Sequence, residues 1–287
     1  MPHKLHRMLS SLYNTPHLAD NSTFEFATAF LKERNKVGMM VMPEDDGEDN
    51  EQPDDLDDFD PQMGIGVINI FGALTYKPMF GMCGEVGCSY EGLLDQAEDM
   101  IEAGATTIIL NIDSGGGQGY GAFECANELR KMCDDAGVKI YAYNDGCCAS
   151  AAYALACVAD VVISNPYAET GSIGVLVSLL NDSKYLEQEG YTRTFITAGD
   201  SKVPFAPDGS WREGFLEDIQ AKVDSLYGDF VSHVANYTGL TPQAIKDTQA
   251  KTYMAEDALA LGLINKIQTR SEFFSYILTE YKGLSNA

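Results

Sequence analysis

The sequence contains very little histidine. Only four histidines occur among 287 residues, and none of them (His3, His6, His17 and His233) lies within a recognisable motif. Hydrolases with a serine or cysteine nucleophile commonly rely on a nearby histidine as the proton acceptor. The long stretch without histidine, residues 18–232, therefore argues against a Ser-His-Asp triad or a Cys-His pair in this part of the chain.

Basic charge and long apolar runs are also scarce. The chain has 19 Lys and Arg against 43 Asp and Glu, which gives a net charge of −24. This balance excludes a basic face for nucleic acid or for an anionic membrane surface. No stretch approaches the roughly 18 apolar residues of a membrane span, and the N-terminus has no signal-peptide core. We therefore expect a cytoplasmic protein with no nucleic-acid partner and no membrane contact.

The seven cysteines do not follow metal-binding spacing. Their number is odd and they are scattered along the chain, with Cys147 and Cys148 adjacent. Such a pattern is typical of reduced, buried thiols in a cytosolic protein. We expect no metal and no organic cofactor.

Acidic charge is concentrated in one segment. Residues 44–60 hold eleven acidic residues and almost no apolar ones, so the segment repels itself and cannot bury surface. The apolar share of the whole chain, 45%, is sufficient for a sizeable core. We predict four parts: an N-terminal arm over 1–43, an acidic disordered linker or removable pro-segment over 44–63, a folded domain over 64–270, and a C-terminal helix over 271–287.

From residue 64 onward, apolar β-branched runs alternate with helical patterns. Strands are predicted at 65–71, 107–112, 139–143, 161–164, 194–197 and 264–267. Helices are predicted at 90–103, 120–135, 150–159, 211–237, 255–261 and 272–282, and Thr241 and Ser89 are predicted helix caps. This order predicts an α/β fold with a parallel sheet, right-handed crossovers, covering helices and a helical C-terminal part.

Ser150 is a candidate nucleophile. It lies among small residues, next to Ala149 and Ala151, where a predicted strand ends and a helix begins. A helix N-terminus favours negative charge, and the small neighbours leave room for a substrate backbone. The alternative is an ordinary helix cap. Cys147 and Cys148 are rival nucleophiles, but they have no histidine with which to form a thiolate pair.

Lys202 is the available proton acceptor for Ser150. It lies 52 residues further on, just past the strand predicted at 194–197. A lysine base must be neutral, which requires burial or a neighbouring cation, and the apolar residues 203–207 predict burial. The alternative is an exposed loop lysine. Ser172 lies between the two and could hold the amine in place, or it could be a turn serine.

A glycine-rich loop, residues 115–119, follows the strand predicted at 107–112. It lacks the Lys-Ser/Thr of a phosphate-binding loop, and its glycine spacing does not match the dinucleotide fingerprint. Its backbone N–H groups could converge on a developing oxyanion, although a plain tight turn explains the glycines equally well.

Taken together, these segments resemble the S49 family of serine peptidases, the signal-peptide-peptidase A group. The resemblance covers roughly residues 65–267, and it is carried by the order and spacing of Asp113–Gly117, Ala149–Tyr153, Thr170–Val175 and Ala198–Lys202. Gly115 stands where the family usually has proline, which affects the rigidity of the loop.

The resemblance implies a crotonase/Clp-protease-like fold and a serine endopeptidase. By it, Ser150 is the nucleophile, Lys202 is the general base and Ser172 orients the base. Gly116 or Gly117, together with Ala151, would line the oxyanion hole. The alternatives are a non-catalytic assembly protein on the same fold and a crotonase-like acyl-CoA enzyme, which would have no use for a Ser-Lys pair.

The nearer resemblance is to the phage capsid-maturation (prohead) proteases, through residues 12–17 and 252–264. It implies a homo-oligomeric ring that cleaves extended, small-side-chain segments of scaffold and capsid proteins, in the host cytoplasm or inside the prohead. The alternative within the family is a bacterial cytosolic peptidase that degrades cleaved signal peptides or misfolded chains.

Overall fold

The computed structural model describes residues 17–19, 59–60, 63–78, 87–199 and 201–284. Most of the predicted arm and acidic linker lies outside these residues. The last two residues of the acidic run, Phe59–Asp60, form a short strand.

The described residues contain twelve strands. In chain order they are β1 His17–Ala19, β2 Phe59–Asp60, β3 Ile65–Phe71, β4 Leu74–Thr75, β5 Cys88–Ser89, β6 Thr107–Ser114, β7 Gly116–Gln118, β8 Lys139–Ala149, β9 Val161–Ser164, β10 Glu169–Gly171, β11 Thr252–Met254 and β12 Lys266–Ile267. The eight helices described with them are α1 Tyr90–Glu102, α2 Ala122–Ala136, α3 Ala151–Ala156, α4 Ser183–Gln188, α5 Phe215–Thr238, α6 Pro242–Asp247, α7 Ala255–Ala260 and α8 Arg270–Leu284.

The central sheet is mostly parallel. Its order is β11-β10-β8-β6-β3-β2, and β9, which also pairs with β12, lies on the same edge of β8 as β10. Only the pairings β2–β3 and β10–β11 are antiparallel in this sheet. A smaller sheet has the order β1-β7-β4-β5. The predicted α/β fold with a parallel central sheet and covering helices is confirmed.

Both faces of the central sheet are buried. On β6, Ile108 and Leu110 belong to a large core shared with helices α1, α2, α3 and α5, whereas Ile109 belongs to a smaller core covered by α8. In the smaller core the ring of Phe273 stacks on that of Tyr143, with centroids 4.5 Å apart. Burial on both faces explains why the strand is continuously apolar instead of alternating.

Local signals place the helix ends where the sequence predicts them. The Ser89 hydroxyl accepts from the Gly92 N–H at the start of α1, and the Thr241 hydroxyl accepts from the Ala244 N–H at the start of α6. Each bond satisfies one of the donors that the first turn of a helix leaves without an intrahelical partner.

The strand predicted at 194–197 is wrong. Residues 191–197 have no regular secondary structure, and the Ile196 side chain is 98% exposed. Their β-branched and aromatic residues favour an extended chain, but none of the described strands pairs with them. The strand predicted at 139–143 is in turn too short. It continues to Ala149 because β10 pairs with its second half.

No described helix is both long enough and apolar enough to span a membrane.

Candidate active site

Ser150 occupies a sharp turn between a strand and a helix. β8 ends at Ala149 and α3 begins at Ala151, and Ser150 between them has a φ of 56°. This left-handed conformation is uncommon outside glycine and costs on the order of 1–3 kcal/mol. The residue is fully buried, and its hydroxyl oxygen has no hydrogen-bond partner among the described residues. The turn therefore holds a buried hydroxyl at a helix N-terminus without using it as a cap.

Ser172 lies beside Ser150. β10 pairs in parallel with β8, with Gly171 opposite Ala149, so each serine follows directly after a paired residue. The Ser150 N–H donates to the Gly171 carbonyl at 2.8 Å. Ser172 is buried as well and has a similar backbone conformation, with a φ of 51°. The two neighbouring strands therefore end at the same edge of the sheet, and each is followed directly by a serine, although the serines are 22 positions apart in the chain.

The glycine loop reaches the same place. Ser114 at the end of β6 is opposite Cys148 on β8, so Gly116 and Ser150 each lie two residues beyond this pair. β7, which contains Gly116 and Gly117, lies against α3. Gly117 has to be glycine, because an added Cβ would lie 2.0 Å from the Leu74 carbonyl oxygen.

The Gly116 amide is engaged within its own loop. Its N–H donates to the Ser114 hydroxyl at 3.1 Å, and that hydroxyl donates to the Gly72 carbonyl at 2.6 Å. Gly116 has a φ of 96°, which glycine adopts readily. Of the predicted donors to an oxyanion, Ala151 follows Ser150 directly at the first position of α3, Gly117 lies in the strand that contacts α3, and the Gly116 N–H points to Ser114.

Lys202 makes no hydrogen bond to the Ser150 hydroxyl in the single chain. It lies in a turn in which its N–H donates to the Gly199 carbonyl at 3.2 Å, and its side chain is exposed. The expectation that residues 203–207 bury this lysine is wrong for the single chain. Val203 and Phe205 are only half-buried, and the segment around them makes contacts within itself, such as the hydrogen bond from Asn181 to the Gly209 carbonyl and the stacking of Phe205 on Trp211. The role of Lys202 as a base stays a prediction.

Comparison with known proteins gives the family. The sequence profile of peptidase family S49 matches residues 133–281, just over half of the chain, and this range includes Ser150, Ser172 and Lys202. The chain belongs to peptidase family S49.

Two phage proteins are among its relatives. The capsid assembly protease C of Escherichia phage lambda is 30% identical over 224 residues, which are 76% of this chain and 50% of the relative. The head-tail preconnector protein GP5 of Enterobacteria phage P21 is 30% identical over 228 residues, which are 75% of this chain and 43% of the relative. The chain therefore spans about half the length of these relatives.

A cellular protein is also similar. The putative signal peptide peptidase SppA of Enterococcus faecium is 29% identical over 181 residues, which are 62% of this chain and 52% of the relative. The relatives therefore include both phage and cellular proteins.

Two polar residues for which the sequence predicted no role of their own support the candidate site. The buried Asn144 amide donates to the Glu169 carbonyl at 2.8 Å and to the Thr170 hydroxyl at 3.0 Å, which fixes β10 and hence Ser172 against β8. Asp113 accepts from the Cys147 N–H at 3.0 Å and so holds the segment that leads to Ser150. Their signal in the sequence is a polar residue at the end of an apolar strand.

The rival thiol at Cys148 is unsuited to nucleophilic attack. Complete burial raises its pKa well above the usual value, and the neighbouring Cys147 and Cys157 raise it further. A protonated thiol is a poor nucleophile. Among the described residues there is no group of three or more His, Cys, Asp or Glu that could hold a metal ion.

Proposed function

We propose that this S49 chain is a serine endopeptidase that hydrolyses peptide bonds with a Ser-Lys dyad. Ser150 is the nucleophile, Lys202 the general base and Ser172 the group that orients the base. The amides of Ala151 and of Gly117 or Gly116 stabilise the oxyanion. The observation that carries the proposal is the buried Ser150 hydroxyl, which has no hydrogen-bond partner among the described residues. The backbone at Ser150 also has a positive φ, a conformation that costs free energy.

The chemistry is acyl transfer. Neutral Lys202 accepts the proton of the Ser150 hydroxyl as its oxygen forms a bond to the peptide carbonyl carbon. The amides beside Ser150 donate to the oxyanion that develops on the carbonyl oxygen. The carbon–nitrogen bond then breaks, and the Lys202 ammonium protonates the leaving amine. Water attacks the ester with its proton passing to Lys202, and Ser150 regains its proton as the second product leaves.

Lys202 has to reach Ser150 for this chemistry, and we propose that self-association brings it there. The 176–214 segment, with the start of α5, carries a row of stacked rings whose centroids are 4.9–6.3 Å apart, namely Phe195, Phe205, Trp211 and Phe215. Ile196 and Tyr191 in this segment are largely exposed. Exposed apolar side chains in the same segment as a row of half-buried rings favour a protein–protein contact here. A neighbouring copy that covers it would also remove water from Lys202, which lowers the pKa of a buried lysine.

The proposed substrates are scaffold and capsid proteins, cleaved in the host cytoplasm or inside the prohead. The support is the similarity to the lambda capsid assembly protease and to the P21 preconnector protein, each over about three quarters of this chain. Cellular peptidases match a smaller share of the chain, as SppA does.

A fluorophosphonate probe tests the nucleophile and the base together. The probe should label Ser150 in the unmodified protein, with no labelling in Ser150→Ala and a loss of at least a hundredfold in rate in Lys202→Ala, since general-base catalysis contributes about 10²–10⁴-fold. Lys184→Ala is the matched control, because Lys184 is an exposed lysine of the same segment. Equal labelling in Lys202→Ala and Lys184→Ala would remove Lys202 from the mechanism.

Mixing two inactive variants tests the role of self-association. If Ser150 and Lys202 of different copies form the site, a mixture of Ser150→Ala and Lys202→Ala proteins should regain peptidase activity. If instead the 176–214 segment closes over its own chain, the mixture stays inactive although each variant elutes as an oligomer.

A second candidate function is a non-catalytic assembly protein on the same fold. The exposed Lys202 side chain favours it, because a serine without a base nearby is not an active nucleophile. An oligomer that is never labelled by the fluorophosphonate would support this function and refute the peptidase.

A further inference from the structure

One edge of β7 is occupied by a strand from the N-terminal arm. β7 lies between β4 on one side and β1 on the other. The residues of β1, His17–Ala19, pair antiparallel with Gly116–Gln118, and Ala19 lies opposite Gly116. Without β1, the backbone N–H and C=O groups on this edge would be open to any extended peptide, because an exposed strand edge is a template for strand addition.

β7 lies next to the helix that follows the candidate nucleophile. Gly116 and Ser150 both lie two residues beyond the opposed pair Ser114 and Cys148, and β7 lies against the helix that Ser150 opens. Neighbouring strands are about 4.8 Å apart, so a peptide that adds to β7 lies one strand spacing from a strand that contacts this helix.

The direction of β1 is the direction that a cleavable peptide requires. Because β1 is antiparallel to β7, it runs from the Gln118 end toward the Gly116 end, which is the end closer in the chain to the Ser114–Cys148 pair that precedes Ser150. In acyl transfer, the residues before the scissile bond stay bound as the acyl group while the amine leaves. A substrate strand that pairs in this direction presents the bond that follows its paired residues to Ser150.

We propose that the β7 edge is the docking edge for the part of a peptide substrate that precedes the scissile bond, and that the chain's own segment His17–Ala19 is its resident occupant. The arm and an added peptide then compete for one edge, so the arm limits access to Ser150. The role of this edge as a substrate site rests on the proposed peptidase function. The competition between the arm and an added peptide is a binding property and requires no catalysis.

Peptide binding to the full-length Ser150→Ala protein tests the competition. The probe is a fluorescein-labelled octapeptide with the sequence of residues 14–21, Asn-Thr-Pro-His-Leu-Ala-Asp-Asn. Its Kd is compared with that for the same protein carrying Leu18→Pro and Ala19→Pro. Neighbouring N–H groups of a strand point to opposite sides, so one of the two prolines removes an N–H that faces β7. An arm docked nine-tenths of the time raises the apparent Kd about tenfold, and the prolines should abolish this increase.

Two further measurements make the result specific. Ser10→Pro with Ser11→Pro places two prolines in the same arm outside β1, and the Kd should then stay unchanged. Hydrogen exchange of residues 116–118 should become faster in the Leu18→Pro, Ala19→Pro protein and slow again when the octapeptide saturates it.

An equal or weaker Kd in the Leu18→Pro, Ala19→Pro protein would overturn the proposal, as would a peptide that binds neither protein. All these measurements use Ser150→Ala protein, so their outcome is independent of whether the unmodified protein hydrolyses peptides. A failure here with successful fluorophosphonate labelling would reject only the docking edge.

Discussion

Replacement of Ser150 by alanine should stabilise the protein. The hydroxyl is fully buried and has no hydrogen-bond partner among the described residues, although it begins a helix. Desolvation of a hydroxyl without a compensating bond costs about 1–3 kcal/mol. Alanine leaves a methyl group of similar shape in the same pocket, so Ser150→Ala should recover most of this free energy. We expect an increase of about 1–2 kcal/mol in the free energy of unfolding.

The backbone at Ser150 predicts a further gain with glycine. Its φ of 56° and ψ of −118° correspond to the first central position of a type II′ turn, where glycine predominates. Ser150→Gly removes both the hydroxyl and the strain. Because glycine also loses about 0.5–1 kcal/mol in backbone entropy, it should be similar to Ser150→Ala or up to about 1 kcal/mol more stable.

Ser89 provides a matched control. It too is a buried serine at the start of a helix, but its hydroxyl accepts from the Gly92 N–H at 3.2 Å. Ser89→Ala should therefore destabilise by about 1 kcal/mol, as the loss of an N-cap normally does. The two serine-to-alanine changes thus have opposite predicted signs.

Thermal unfolding followed by circular dichroism measures the effect at one protein concentration, since self-association shifts the apparent Tm. For a chain of this size 1 kcal/mol corresponds to about 2–4 °C, so Ser150→Ala should raise Tm by roughly 2–8 °C and Ser89→Ala should lower it. A Ser150→Ala protein that is destabilised as much as Ser89→Ala would show that Ser150 is an ordinary cap. The argument for a nucleophile from its unused hydroxyl would then fail.

Two further predictions concern His233 and Gly117. The His233 Nε2–H donates to the Ala154 carbonyl at 2.9 Å, and burial lowers its pKa below the usual 6.5. The stability that neutral His233 provides is thus complete above about pH 6.5 and is lost as the pH falls toward the folded-state pKa. Between pH 7.5 and 5.5 the unmodified protein should lose up to about 1.4 kcal/mol more than His233→Gln in urea unfolding, and parallel curves would exclude this role. Gly117→Ala should slow fluorophosphonate labelling at least tenfold because its Cβ meets the Leu74 carbonyl oxygen. Gly228→Ala, which has open space around its Cβ, should label normally, and equal rates in the two would contradict the need for this loop geometry.

Much of the fold could be predicted because its signals are local. The caps at Ser89 and Thr241 and the apolar run of β6 each depend on residues close together in sequence. The short strands β4, β7, β10 and β11 were not predicted, because their strand character comes from partners far away in the chain. The prediction of a strand at 194–197 was wrong because these residues have strand propensity but pair with none of the described strands.

The candidate site divides in a similar way. The turn at Ser150 was predictable, because small residues between an apolar run and a helical pattern indicate a strand that leads directly into a helix. The support from Asn144 and the contact between the two serine-bearing turns were not, because both depend on the register of β8 and β10. The exposure of Lys202 was not predictable either, because apolar neighbours in sequence do not decide whether a segment packs on the core.

The sequence by itself determined an α/β domain, the serine at a strand-to-helix turn and the absence of a histidine base in residues 18–232. Only the tertiary structure decided that Ser172 lies beside this serine, that β7 contacts the helix after it, that Lys202 is exposed in the single chain, and that residues 17–19 pair with β7. The physical reason is that pattern and propensity act over one or two turns of chain. The pairing of strands and the exclusion of water, in contrast, depend on how distant segments are brought together.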